Sequence, residues 1–373
     1  MSANGEGVQN ANEPQFGLGK SIAFSLILIT LTLTGAELLV RGWARYLRDP
    51  YQRFDPASET FVLVPGEHRT PNTPIVIDSD GFVGRELQTP GPDLWRLVAI
   101  GDSCTFSAGN GKDTYSAMTE DALRAQAPSG VRFEVVNAGI EGLNSELALR
   151  RLRAKVLPLH PNVVTIYLGW NDLMKYDPNS QDVRTASSRA ARFLNEFWLV
   201  RGLRKLIFFY VRPRIAPPTT GPASFTGRFA DFHPTAFEEN LGEILAEIRN
   251  ANAAPLLFTL PTVVRADMTA DDLRAANVVF PYFTAGYGVG DLLDLIGAYN
   301  QSIRQIAREQ KVPLLDLAAE FEAQHEVRSL FYDTMHTNTS GQALIARLLE
   351  AKLAQEGLLG PPHVDTAAGE RTL

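Results

Sequence analysis

The sequence predicts an α/β fold, a parallel sheet wound by right-handed crossovers, behind one long apolar helix near the N-terminus. Short apolar runs recur at 97–101, 131–137, 162–169, 254–261 and 312–317. Each has the length and continuous apolar character of a strand buried on both faces. Stretches of helical spacing lie between them, and strands alternating with helices form a parallel sheet through right-handed connections. Ahead of the first strand, residues 22–40 carry a single charge, Glu37. A helix of that length rises about 28 Å, close to the roughly 30 Å of bilayer hydrocarbon.

Length and composition remove several alternatives. A chain of 373 residues holds one large α/β domain with an appendage, or two modest domains. Its formal charge of -7 gives no basic footprint for nucleic acid. A single cysteine excludes an intrachain disulfide, so a packed core must supply the stability. No Cys/His cluster has metal-ligand spacing, no glycine-rich phosphate loop is present and there are no internal repeats, so no metal or organic cofactor is expected.

In chain order, residues 1–20 are polar and read as a disordered tail. Residues 21–43 read as an uncleaved transmembrane anchor. The rival is a signal peptide, whose apolar core would be shorter and followed by a small-residue cleavage site. Ala36 follows Leu33-Thr34-Gly35 where a lipoprotein would need cysteine. Arg41, Arg45, Arg48 and Arg53 follow the span and Lys20 precedes it, a bias that taken literally leaves the C-terminal part in the cytoplasm. Residues 44–92, rich in proline and turn signals, read as a neck with a strand or two packed on the main domain.

The domain proper is expected over 93–358. After the first strand, Tyr115, Met118, Leu123 and Ala127 mark a helix, and the strand at 131–137 runs into the turn 138–145. A basic helix at 146–156 leads to the strand at 162–169, which empties into Trp170-Asn171-Asp172. A lid-like insertion at 173–235 breaks the rhythm. Within it, 193–211 mixes Trp198, Leu199, Leu203 and Leu206 with Arg201, Arg204 and Lys205. Two readings stand: a basic amphipathic helix lying on the membrane beside the anchor, or a lid or packing helix. Helices at 237–251 and 291–310 flank a loop at 262–290 whose Phe280, Tyr282, Phe283 and Tyr287 suit a substrate cleft. After the loop at 331–338, Thr339 and Gln342 have capping-box spacing and open a helix through Leu353. Residues 359–373 read as a flexible tail.

The chemistry gathers at the ends of these elements. The first strand stops at Gly101-Asp102-Ser103, and open α/β sheets bind ligands beyond the carboxyl ends of their strands. A serine hydroxyl needs a base, and the base needs a group that holds its tautomer. Asp333 and His336, three apart before a helix, supply both. Acyl transfer also needs donors aimed at the developing oxyanion, for which the backbone N–H groups of Ser103 and Gly142 and the amide of Asn171 are the candidates.

Gly101-Asp102-Ser103, the turn Asn137-Ala138-Gly139-Ile140-Glu141-Gly142, the strand end Gly169-Trp170-Asn171-Asp172 and Asp333-Thr334-Met335-His336 together resemble, in order, the four blocks of the SGNH, or GDSL, hydrolase superfamily. Residues 78–86 resemble the lead-in of its membrane-anchored bacterial members. The resemblance implies a three-layer, flavodoxin-like domain with helices on both faces of the sheet. It implies ester hydrolysis with Ser103 as nucleophile, His336 as general base, Asp333 orienting His336, and Ser103, Gly142 and Asn171 forming the oxyanion hole. Gly139 becomes a turn residue and Asp172 a structural hydrogen-bond partner, while Trp170 either floors the acyl pocket or packs. Cys104 stands where many members have leucine, and is expected to be small and buried rather than a reactive thiol.

The expected protein is therefore a membrane-anchored serine esterase acting on carboxylic esters, with O-acetyl groups on carbohydrate as a substrate by analogy. Alternatives are an O-acyltransferase acting on a glycan and a catalytically silent glycan-binding domain. Its partners are an ester substrate and, through 21–43, the membrane. The resemblance favours an extracytoplasmic domain against the arginine bias.

Overall fold

The chain runs from one long helix through two short hairpins into the parallel sheet, in a computed structural model that describes residues 17–47, 51–69, 74–107, 111–175, 197–206, 229, 231–279 and 288–360. Helix α1 (Leu18–Leu47) is open to its surroundings along most of its length, and its segment Gly19–Trp43 is long and apolar enough to cross a membrane. The hydroxyls of Thr30 and Thr32 donate to the carbonyls of Leu26 and Leu28, both at 2.8 Å, so these two hydroxyls are satisfied within the helix.

The neck is more built than a strand or two. Strands β1 (Gln52–Asp55) and β2 (Thr60–Leu63) form one antiparallel pair, and β3 (Gly66–His68) and β4 (Ile75–Ile77) another. Tyr51, Ile75, Ile77 and Phe82 are buried in the same core as the main sheet. Tyr51 stacks on Phe106, with centroids 5.6 Å apart and planes 11° from parallel.

The main strands are β5 (Leu94–Gly101), β6 (Arg132–Asn137), β7 (Val163–Tyr167), β8 (Ala254–Phe258) and β9 (Leu314–Leu315), all parallel, in the spatial order β6-β5-β7-β8-β9. This is the 2-1-3-4-5 order of flavodoxin-like sheets, with its switch point between β5 and β7. Every residue of β5 and β7 is buried, which is why both read as unbroken apolar runs. The exception inside β5 is Arg96, whose guanidinium pairs with the buried Glu134 of β6 and donates to the Leu159 carbonyl at 2.6 Å. A buried ion pair of this kind is tolerated because its remaining polar atoms also find partners.

Helices cover both faces. Helix α2 (Ser103–Phe106) is a single turn after β5, and α3 (Tyr115–Ala125) packs on β6. Helix α4 (Ser145–Arg151) precedes β7, and α5 (Trp170–Lys175) follows it. Beyond α6 (Trp198–Leu206), α7 (Thr235–Asn250) packs on α4 and β8. A short α8 (Ala270–Ala275) precedes α9 (Val289–Glu309), which packs on α7 and β8. Helix α10 (Leu317–Glu322) follows β9, and α11 (Thr339–Gln355) packs on α3 to complete the opposite layer.

Four expectations are corrected in detail. The helix expected at 146–156 ends as an α-helix at Arg151 and continues as a wider turn, Leu152–Val156, before a short tight turn at Leu157–Leu159. The loop at 262–290 contains α8, opened by a reciprocal Thr269–Asp272 capping box, and the aromatics Phe280, Tyr282, Phe283 and Tyr287 lie outside the described residues. The last strand is only two residues long. Finally, Thr339 does not cap α11: Asn338 does, accepting from the N–H groups of Ser340 and Gly341, and Gln342 is taken for another purpose. Of the tails expected at 1–20 and 359–373, residues 1–16 and 361–373 lie outside the described residues, as does most of the insertion at 173–235, while Leu18, Gly19 and Lys20 belong to α1.

Candidate active site

Strand β5 delivers Ser103 through a turn that admits no side chain at Gly101. A Cβ there would lie 2.1 Å from Thr105 Oγ1 and 2.7 Å from the Tyr167 carbonyl. Asp102 is the N-cap of α2, accepting from Cys104 N at 2.9 Å. Ser103 is thus the first residue of the helix, at the switch point of the sheet, and only partly buried.

The partner arrives from the far end of the chain. Ser103 Oγ lies 2.8 Å from His336 Nε2. On the other side of the ring, His336 Nδ1 lies 2.7 Å from Asp333 Oδ2 and 2.9 Å from Asp333 Oδ1. The same carboxylate accepts from the backbone N–H groups of His336 and Met335 at 2.9 and 3.0 Å, so the spacing of three closes a tight, self-bonded loop. A carboxylate at Nδ1 holds the proton there and turns the Nε2 lone pair toward the serine.

Charge and burial act against each other here. Burial alone would lower the imidazole's affinity for a proton, but the hydrogen bond and charge of Asp333, with Asp102 and Glu141 behind it, raise the His336 pKa above its ordinary 6.5. Burial likewise pushes the Asp333 carboxyl up, and the hydrogen bond and charge of His336 bring it below its ordinary 3.8. Burial pushes the fully enclosed Asp102 carboxyl up.

Asp102 has a second contact that sequence reasoning missed. Its Oδ2 accepts from Asn171 Nδ2 at 3.2 Å, which ties the end of β7 to the serine turn. The adjacent Asp172 turns the other way, accepting from Ser145 N at 3.0 Å and from the Ser145 hydroxyl at 2.5 Å, and so holds the start of α4. Trp170 is buried in the core, which makes it packing rather than an exposed pocket floor. Cys104 is buried too. Burial and the neighbouring charges of Asp102 and Asp333 push its thiol well above its ordinary 9.0, leaving an inert group.

The turn 138–143 runs beside the serine helix, with Ile140 N bonded to the Gly101 carbonyl at 3.1 Å. Gly142 has φ +78°, a conformation that favours glycine. Gly139 lies in the turn, as expected, and is constrained there by a close approach rather than by its backbone angles. Its φ is unexceptional, but a Cβ would sit 2.3 Å from Phe106 N and 2.8 Å from Phe106 Cα. Both are backbone atoms of α2 and cannot move aside cheaply. Gly139→Ala is expected to destabilise the fold by about 1–3 kcal/mol, read as a lowered urea midpoint at unchanged slope.

Gln342 is the other residue the sequence did not single out for this region. Its Oε1 accepts from Tyr115 N at 2.7 Å, and its Nε2 donates to Thr337 Oγ1 at 2.7 Å and to the Cys104 carbonyl at 3.3 Å. One buried amide thereby joins α3, the serine helix and the histidine loop. The three-residue spacing from Thr339 suggested a cap, and nothing local distinguishes the two roles. Thr334 holds the loop from the other side, exchanging hydrogen bonds with the backbone of Val279 at 2.6 and 3.1 Å.

A flavodoxin-like sheet that brings a serine, an imidazole and a carboxylate into one hydrogen-bonded row at its switch point has the build of a hydrolase. The GDSL-like lipase/acylhydrolase family matches over residues 99–344, and the chain belongs to that family of ester-hydrolysing enzymes. No curated protein matches the sequence. Among solved structures, it is similar to the lipase/acylhydrolase from Enterococcus faecalis, with 17% identity, TM-score 0.43, and 72% of this chain and 100% of that one covered. The α/β hydrolase LAE5 from the metagenome of Lake Arreo, Spain, gives 20% identity, TM-score 0.42, and coverages of 71% and 96%. An acetylxylan esterase from Geobacillus stearothermophilus, as a catalytic mutant, gives 17%, TM-score 0.41, and coverages of 69% and 94%.

Proposed function

We propose that the chain is a membrane-anchored serine esterase that hydrolyses carboxylic esters through an acyl-enzyme on Ser103. The observation that carries this reading is the row Ser103 Oγ, His336 Nε2, His336 Nδ1, Asp333 Oδ2, with links of 2.8 and 2.7 Å. As Ser103 Oγ bonds to the ester carbonyl carbon, His336 Nε2 takes the hydroxyl proton. The carbonyl oxygen becomes an oxyanion facing the N–H groups of Ser103 and Gly142 and the amide of Asn171. Collapse breaks the bond to the alkoxide, which leaves with the proton from His336. Water then attacks the acyl-enzyme, gives a proton to the same nitrogen, and the acid departs as Ser103 regains its hydrogen.

In this reading residues 21–43 are the anchor, 44–92 the neck, 93–358 the catalytic domain with an insertion at 173–235, and the domain faces away from the cytoplasm. The test is fluorophosphonate labelling of the detergent-solubilised full chain, followed by hydrolysis of aryl esters of graded acyl length and of acetylated oligosaccharides. Labelling at Ser103 with ester turnover is the expected result. A folded chain that neither labels nor turns over any ester would end the reading.

The donor set has its own test. Asn171→Ala removes one neutral donor and is expected to lower kcat by about 10²–10³-fold, with a much smaller change in KM. A tenfold rise in KM at constant kcat would instead make Asn171 a ground-state binding residue.

A further inference from the structure

Glu37 is the one charge in the apolar run at 22–40, and its carboxylate is fully engaged. It accepts from the backbone N–H groups of Trp198 and Leu199 at 2.9 and 2.7 Å, and from Arg41 Nε at 2.7 Å. Trp198 and Leu199 are the first two residues of α6. A helix begins with N–H groups that have no partner within it, and with the positive end of its dipole, so a carboxylate there satisfies both. Glu37 thus caps a helix that lies 161 residues further along the chain. It is 9% exposed, on a helix whose neighbouring Leu38 and Leu39 are 64% and 75% exposed.

The depth of this contact follows from the anchor. Arg41 and Trp43 are the residue types that mark a membrane–water boundary. Glu37 lies six residues before Trp43, roughly 9 Å along the helix axis, so the start of α6 is fastened within two helical turns of that boundary, on its membrane side. The sequence of α6 divides by helical spacing. Positions 199, 203 and 206 share an apolar side and the cationic positions 201 and 204 fall opposite it, while position 205, seven residues after Trp198, lies beside Trp198 at the edge between the two. Trp198 and Leu199 are half-buried, and Leu203 is 53% exposed. An amphipathic, cationic helix held at that depth has the composition of an interfacial element, and its charge complements acidic headgroups.

We propose that α6 is a membrane-contact helix, docked on α1 by Glu37, that rests its Leu203 side on the surface of an anionic phospholipid bilayer. The inference rests on Gly19–Trp43 being a bilayer span.

The experiment uses the full chain in nanodiscs carrying an environment-sensitive thiol label at Leu203→Cys or, separately, at Leu31→Cys, with doxyl phospholipids as quenchers. Cys104 is buried and stays unlabelled, with wild type as the control. Quenching is expected at both sites, with that at position 203 falling about threefold on adding Glu37→Ala and about threefold in discs of neutral lipid alone. Quenching at 31 without quenching at 203 would overturn the membrane contact and leave α6 a lid or packing helix. Loss of quenching at 31 would show instead that the span reading has failed. Quenching at 203 that ignores Glu37→Ala would overturn the docking role, and protection that needs two copies per disc would make the surface a self-association face.

Discussion

Ser103→Ala is expected to lower kcat for aryl ester hydrolysis by about 10⁴-fold or more while leaving the protein folded. The substitution removes one oxygen and one hydrogen bond, the 2.8 Å contact with His336 Nε2. A single hydrogen bond at a partly exposed position contributes on the order of 1 kcal/mol, so the melting temperature should move by only a few degrees. The activity loss is far larger because no other nucleophile among the described residues replaces the attacking oxygen: the neighbouring Cys104 thiol is buried and strongly disfavoured as a thiolate. Residual turnover above background would report the oxyanion donors acting on water alone. Retention of more than about a tenth of wild-type kcat, in a variant that no longer labels with fluorophosphonate, would exclude Ser103 as nucleophile.

Asp333→Asn is expected to lower kcat by about 10⁴-fold as well, and to move the pH profile in a direction that identifies the cause. In the wild type the raised His336 pKa means that half the imidazole is still protonated above pH 6.5. The base works only when neutral, so kcat/KM should rise with pH through a midpoint above that value. Removing the Asp333 charge leaves burial dominant, and burial favours the neutral ring. The rising limb of the residual activity should therefore shift to lower pH. The carboxamide also cannot hold the Nδ1 proton as the carboxylate does, so the Nε2 lone pair is no longer assured to Ser103. A variant with the expected loss but an unshifted profile would place the role of Asp333 in the loop hydrogen bonds to Met335 and His336 rather than in the charge.

The order of elements was legible because parallel strands buried on both faces must be continuously apolar. The run at 97–101 and that at 162–169 could hardly be anything else. Gln342 shows where local signals fail. At three residues from Thr339 it fits a capping box, yet its amide spans from Tyr115 to Thr337 because the end of the chain folds back beside the serine helix. Gly139 fails in the same way, since its constraint comes from the Phe106 backbone, more than thirty positions earlier.

By itself the sequence determined which residue types could do chemistry, and that each stood at the end of a strand or before a helix. It also fixed the Asp333–His336 pairing, because a spacing of three in a loop is a local geometry. Only the tertiary structure decided the distances that matter. Ser103 meets His336 across 233 positions, Asp102 holds Asn171 across 69, and Glu37 caps α6 across 161. Contacts of that range depend on how the sheet orders its strands and how its two helical layers close around it. Periodicity and capping act over a few residues, so no local pattern encodes them.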